Sequence, residues 1–233
     1  MRGFDALFPW LFGALVVAFI VIFIASRIQQ KKRTAALAAL AQTMGFNFEG
    51  TAWGDPTCAP RLQTALFHRG HSQRFKNIMT GNFAGFPTSV FDYWFTTGGG
   101  KSSHTWSQTV FAFTVDLWLP VFEMRPENFV ERISDAFTHK DIDFDSHPEF
   151  SQRYLLRGED KEKVRELFTP ALLTFLEGLP ADKKWHTEGD GHTLVFYRSD
   201  ATAPPEEIPS LLEETVSIAK TFLSCCGLKK TVF

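Results

Sequence analysis

The sequence predicts an α+β protein: an N-terminal transmembrane helix followed by an antiparallel-sheet domain with packed helices. Three observations predict it. Residues 6–25 contain no charged side chain. From Phe46 onward several segments alternate with a period of two, the signature of strands. In the C-terminal half, capped helical stripes alternate with short strands, and strands followed by helices mark an antiparallel α+β arrangement.

The apolar run comes first. About 20 residues at 1.5 Å each reach roughly 30 Å, the thickness of a bilayer's hydrocarbon core. Only Arg2 and Asp5 precede it, whereas Arg27, Lys31, Lys32 and Arg33 follow. Lys and Arg flanking a span stay on the cytoplasmic side, so everything after Arg27 is placed in the cytosol. A cleaved signal peptide has a shorter apolar core, preceding positive charge and a small-x-small site. Here the charge follows the run and Phe23-Ile24-Ala25 is no such site, so the anchor reads as uncleaved. The four cations are also candidates for contact with lipid headgroups.

Residues 28–44 continue as a helix. Leu37, Leu40, Ala41 and Met44 recur at i, i+3, i+4 and i+7, and Gly45 supplies a stop. Strands are expected at 46–49, 61–69, 75–83, 86–96, 105–116 and 119–123, with a Gly-rich loop between 96 and 104. On residues 90–95, Phe91, Tyr93 and Phe95 share one face, and Val90, Asp92 and Trp94 share the other. Trp118 to Glu127, holding Pro120 and Pro126, reads as an architectural corner, and Pro126 as the first turn of a helix to about Phe137. Strands follow at 142–144 and 152–156. Asp160 caps a helix that Thr169 and Pro170 split or kink. Gly189-Asp190-Gly191 signals a hairpin between 185–188 and 192–198. A last helix starts near Pro205, and Gly227 ends it. The chain divides into an anchor and basic flank at 1–33, a juxtamembrane helix at 34–44 and a soluble domain at 45–233, with a soft lobe boundary near His139.

Composition narrows the function classes. With 24 Lys+Arg against 26 Asp+Glu, the net charge of −2 gives no global attraction to nucleic acid. Cys58, Cys225 and Cys226 are too few for a disulfide framework and suit a reducing compartment.

Motifs for chemistry are weak. Thr97-Gly98-Gly99-Gly100-Lys101-Ser102 ends like a phosphate-binding loop, yet Phe95 stands where the first Gly belongs, and a strand pattern follows instead of a helix. Asp141, Asp143 and Asp145 alternate, but Ser146 and Gln152 occupy the positions that a calcium loop reserves for Gly and Glu. The seven histidines form no zinc spacing, so no metal and no cofactor is assigned. Arg69, Arg74 and Lys76 lie among Phe67 and Phe75, which long side chains beside a sheet edge explain without nucleic acid. His68, His71, Asp92 and His104 are the candidates for a polar site converging from distant positions.

Several phrases together resemble a family of uncharacterised bacterial proteins with a single N-terminal span. They are Met44-Gly45-Phe46, Phe91-Asp92-Tyr93, Leu119-Pro120-x-Phe122-x-x-Arg125-Pro126-Glu127, Pro148-Glu149-Phe150-Ser151 and Val164-Arg165-x-Leu167-Phe168. The resemblance implies a single-pass protein of the inner (cytoplasmic) membrane with a cytosolic domain. It brings no activity and no site residues.

These readings favour a non-enzymatic, membrane-tethered cytosolic interaction or sensing module. The bilayer is one partner, a membrane protein the other, and residues 90–95 with the loop 98–104 form the expected contact surface. The alternatives are an enzyme acting on a membrane-proximal substrate and a structural subunit of a membrane assembly.

Overall fold

The computed structural model describes residues 4–52, 63–127, 141–180 and 185–225. A single helix, α1 (Phe4–Met44), joins the apolar run to the domain without a break. It is 41 residues long, which corresponds to about 60 Å. Residues from Phe12 to Ile28 are exposed, whereas Leu37 and Ala41, near its C-terminal end, belong to the core. Gly45, at φ +69°, ends the helix. Its N–H donates to the Gln42 carbonyl at 3.2 Å, and that of Phe46 to Ala41 at 2.8 Å. This pair of bonds is a Schellman cap, closed by the buried Phe46 packing with Ala41.

Six strands form one antiparallel sheet: β1 (Asn47–Ala52), β2 (His71–Phe83), β3 (Phe86–Thr97), β4 (His104–Pro126), β5 (Tyr154–Gly158) and β6 (His186–Tyr197). The β2–β3 hairpin turns on Ala84 and Gly85, both at positive φ, with Phe83 opposite Phe86. β4 is the spine. It pairs with β3 at its start, with β5 at its end, and with β6 between Val110 and Met124. Four short or medium helices complete the domain: α2 (Pro148–Arg153), α3 (Lys161–Leu167), α4 (Pro170–Glu177) and α5 (Ile208–Cys225). The α+β class is therefore the observed one.

Both sheet faces are covered. One packs Val90, Phe111, Phe113, Leu194 and Phe196 against the end of α1 and the helices α3 to α5. The other packs Phe75, Phe91, Tyr93, Phe95 and Tyr197 under Leu66 and Phe67, which a 3-10 turn at Ala65–His68 supplies. The aromatic face of strand 90–95 is thus interior, since Phe91, Tyr93 and Phe95 are all fully buried, while Trp94 on the other face is half-buried.

The capped helices are as expected. Asp160 accepts from the Lys163 N–H at 3.2 Å, and Thr169 from that of Leu172 at 3.4 Å, with Pro170 opening α4. Several strand assignments change. Within 63–69 the chain forms the 3-10 turn instead of a strand. Residues 105–116 and 119–123 merge into β4, where four residues, 115–118, oppose His192 alone in a bulge between the pairs Thr114–Thr193 and Leu119–Gly191. Residues 142–144 are not a strand, although the Ile142 N–H reaches the Leu156 carbonyl at 2.8 Å, and α2 occupies the start of the expected 152–156 strand. Gly189-Asp190-Gly191 makes no hairpin, because β6 runs straight through it. The Phe122 ring fills the space beside Gly189, where a Cβ would lie 2.2 Å from it, and Gly191 takes φ +57° beside the bulge. Pro126, expected in the first turn of a helix, instead closes β4 opposite Tyr154; the rest of that expected helix, to Phe137, and the boundary near His139 lie outside the described residues, as do Cys58 and Gly227.

Candidate functional site

Two polar constellations are built into this sheet. The first locks α1 to the domain. Asp92 sits in the middle of β3 on the α1 face and is 1% exposed. Arg33, about two turns past the apolar run, reaches it with both arms: Nε to Oδ2 at 2.8 Å and Nη2 to Oδ1 at 2.7 Å. Asn77 Nδ2 and Thr109 Oγ1 donate to the same carboxylate at 2.8 and 2.9 Å. Asn77 reaches it from a β2 bulge, at φ +53°. Arg33 Nη1 donates to the Ala203 carbonyl at 2.7 Å, and the Ala203 N–H donates to Thr109 Oγ1 at 2.9 Å. A bidentate guanidinium–carboxylate pair is geometrically exacting, so this clamp fixes the angle at which the helix leaves the domain.

The second constellation lies on the opposite face. Glu123 and Glu188 are directly paired across β4 and β6, an arrangement that is repulsive unless a cation intervenes. Arg69, at the end of the 3-10 turn, supplies it: Nη2 donates to Glu123 Oε1 and lies 3.5 Å from Glu188 Oε1. Tyr197 Oη donates to Glu188 at 2.7 Å, and the Leu66 N–H donates to it at 2.8 Å. Burial pushes the Glu188 carboxyl up, against the pull of Arg69. Burial also pushes up the Tyr93 and Tyr197 hydroxyls. His186 stacks on Tyr197 with ring centroids 4.8 Å apart. Its burial, helped by the charges of Arg69 and Arg125, brings its pKa down to about 3. The cavity beside Glu123, lined by Ala65 and Arg157, holds about 10 Å³. That is room for one water at most, so the ion cluster pins the covering turn to the sheet and admits no organic substrate there.

The candidates from sequence are distributed. Asp92 is in the clamp. His71 Nε2 donates to the Gly98 carbonyl at 3.1 Å, and His104 Nε2 lies 3.5 Å from Asp200 Oδ2. His68 lies on the side of Asp190, whose carboxyl burial and Glu159 push up while His68 acts against them. No described hydrogen bond or ion pair joins any two of the four. Among the headgroup candidates, Arg33 is engaged by Asp92, while Arg27, Lys31 and Lys32 are exposed. Sequence reasoning missed Glu123 and Glu188: Glu123 stands beside Val121, Phe122 and Met124, a usable cue, but Glu188 lies in the polar run His186-Thr187-Glu188-Gly189-Asp190, which gives no signal of burial. Arg69, grouped with surface cations by its sequence context, proves to be their counter-ion.

Fold and site together describe an α+β domain clamped to one helix long and apolar enough to cross a membrane. No family model matches the chain, and no curated protein matches it in sequence. Among solved structures, the fold is similar to that of the mycobacterial trehalose monomycolate transport factor A, TtfA. The TM-score is 0.57 at 11% identity, over 86% of this chain and 98% of that one. At such identity the likeness is one of fold, and function rests on the site.

Proposed function

We propose that this chain is a non-enzymatic module that α1 tethers to the inner membrane, holding a cytosolic domain against the bilayer for a membrane-protein partner. One observation carries the reading: the helix that presents apolar side chains all round from Phe12 to Ala25 is the same helix that Arg33 and Asp92 clamp into the domain. Arg33 lies about 12 Å along the helix from Ala25, so the domain is mounted rigidly beside the headgroups instead of hanging on a flexible linker. Confinement to the membrane plane raises its effective concentration toward other membrane proteins. The cations after the span support a cytosolic domain. The similar fold belongs to a protein described as a transport factor, which is consistent with a membrane-associated role.

The test is to solubilise the full-length chain from native membranes in mild detergent and measure its mass and composition. A stoichiometric complex with a membrane protein is expected. A lone monomer, or a chain that stays in the supernatant when membranes are pelleted, would refute the proposal.

A further inference from the structure

Where the end of β6 meets the start of α5, a cavity of about 90 Å³ opens. Three large apolar side chains line it. Phe111 of β4 and Trp185 meet edge to face, with ring centroids 5.7 Å apart, and Leu211 comes from α5. Two charged side chains line it as well: Arg198, just past β6, and Glu207, in the turn before α5. The segment 201–204 forms one side and is held to β4. The Thr109 N–H donates to the Ala201 carbonyl at 3.2 Å, and the Ala203 N–H donates to Thr109 Oγ1 at 2.9 Å.

Arg198 is a cation without an acceptor. Its guanidinium lies over the Trp185 ring, with Cζ 4.6 Å from the centroid. That stacking supplies attraction but takes up no N–H. Nε is buried without a partner, and among the described residues the guanidinium makes no hydrogen bond and no ion pair. An arginine cannot shed its proton, and unmet donors on a charged group are costly. Glu207 is exposed, and its carboxylate also has no hydrogen bond or ion pair among the described residues. The two opposite charges therefore line one cavity without pairing with each other. A plain anion would satisfy Arg198 but meet a like charge at Glu207, and a plain amine would leave Arg198 unmet.

We infer that this cavity binds a small zwitterion with an apolar side chain, of the α-amino acid class. Arg198 takes the carboxylate, Glu207 takes the ammonium, and the side chain lies against Phe111, Trp185 and Leu211. The size agrees. At about 10–15 Å³ for each water, the cavity holds about six to nine non-hydrogen atoms, a range that spans alanine to valine. The site goes beyond the membrane reading of α1 and does not depend on it.

The experiment titrates the full-length chain, in neutral detergent, with three compounds and reads binding by saturation-transfer NMR. They are L-valine, isovalerate, which lacks only the ammonium, and isobutylamine, which lacks only the carboxylate. Saturable valine binding is expected, about threefold tighter than isovalerate and about tenfold tighter than isobutylamine. Arg198→Gln weakens valine binding about tenfold. Glu207→Gln, on an exposed side chain whose loss leaves the core intact, weakens valine about threefold and leaves isovalerate no weaker. Glu206→Gln, exposed beside it but outside the cavity wall, leaves valine binding unchanged. No saturable valine binding, or equal binding of valine and isovalerate, would overturn the inference. So would full valine affinity in either Arg198→Gln or Glu207→Gln.

Discussion

Asp92→Ala deletes a carboxylate surrounded by Arg33, Asn77 and Thr109. Removing one partner of a buried pair strands the other, at about 3–5 kcal/mol. The two partners are unequal here. Asp92 is 1% exposed, while the Arg33 side chain is 20% exposed and keeps the Ala203 carbonyl. Asp92→Ala therefore falls at the low end, about 3 kcal/mol, and Arg33→Met, which leaves a buried anion with two neutral donors, at about 4 to 5. For a domain near 200 residues these losses lower the melting temperature by about 6–20 °C. The assay is thermal unfolding of the full-length chain in mild detergent, followed by near-ultraviolet circular dichroism. Arg33→Met combined with Asp92→Leu regains much of the loss, because an apolar pair of similar volume needs no ion pairing. Single variants costing under about 1 kcal/mol, or singles that simply add in the double variant, would refute the clamp.

Further predictions follow from the core. His186 is neutral in the folded state, with its pKa lowered to about 3 against about 6.5 in the unfolded chain. Its contribution to stability is full above about pH 6.5 and is lost as pH falls toward 3. Glu188, shifted upward, acts in the opposite sense, so the difference between wild type and His186→Phe is the quantity to read. His186→Phe is expected to be less acid-sensitive in that window, and an identical pH profile would refute the assignment. Gly189→Ala sets a Cβ 2.2 Å from the Phe122 ring, and overpacking of this kind costs about 1–3 kcal/mol by denaturant titration. A neutral result would mean that β6 does not run against Phe122 as described. Thr169→Ala removes the α4 cap and a 3.2 Å bond to the Cys225 carbonyl, an expected loss of about 1 kcal/mol, which no change in urea midpoint would contradict.

Where structure is set by neighbours in sequence, it was legible. The uncharged run, the Schellman stop at Gly45, the hairpin around Ala84 and the caps at Asp160 and Thr169 each involve residues within a few positions of one another. Contacts across the sheet were not legible. Gly189-Asp190-Gly191 has the composition of a turn, but Gly189 is required by a ring 67 positions earlier, and nothing local reports that. Pro120 looks like a strand end, yet the surrounding bulges let β4 continue past it. Asp92 was visible as a charge on an apolar face, which implies a partner. That the partner is Arg33, 59 residues away and taken for a headgroup contact, needed the fold. Glu123 carried a similar cue, a carboxylate beside Val121, Phe122 and Met124, whereas Glu188 lies in a polar run, and the two became a pair only through the β4–β6 register.

The central claim is that one helix serves as both membrane span and structural element of the domain. Spin labels placed singly from Val16 to Ala41 in the full-length chain, reconstituted in vesicles, test it through their accessibility to oxygen and to a water-soluble nickel reagent. The account predicts oxygen-favoured exposure on every side through Ala25, then a helical period from Arg33 onward, with Leu37 and Ala41 shielded from both reagents. Water-like accessibility at residues 16–25, or a loss of helical period between Ser26 and Arg33, would contradict it.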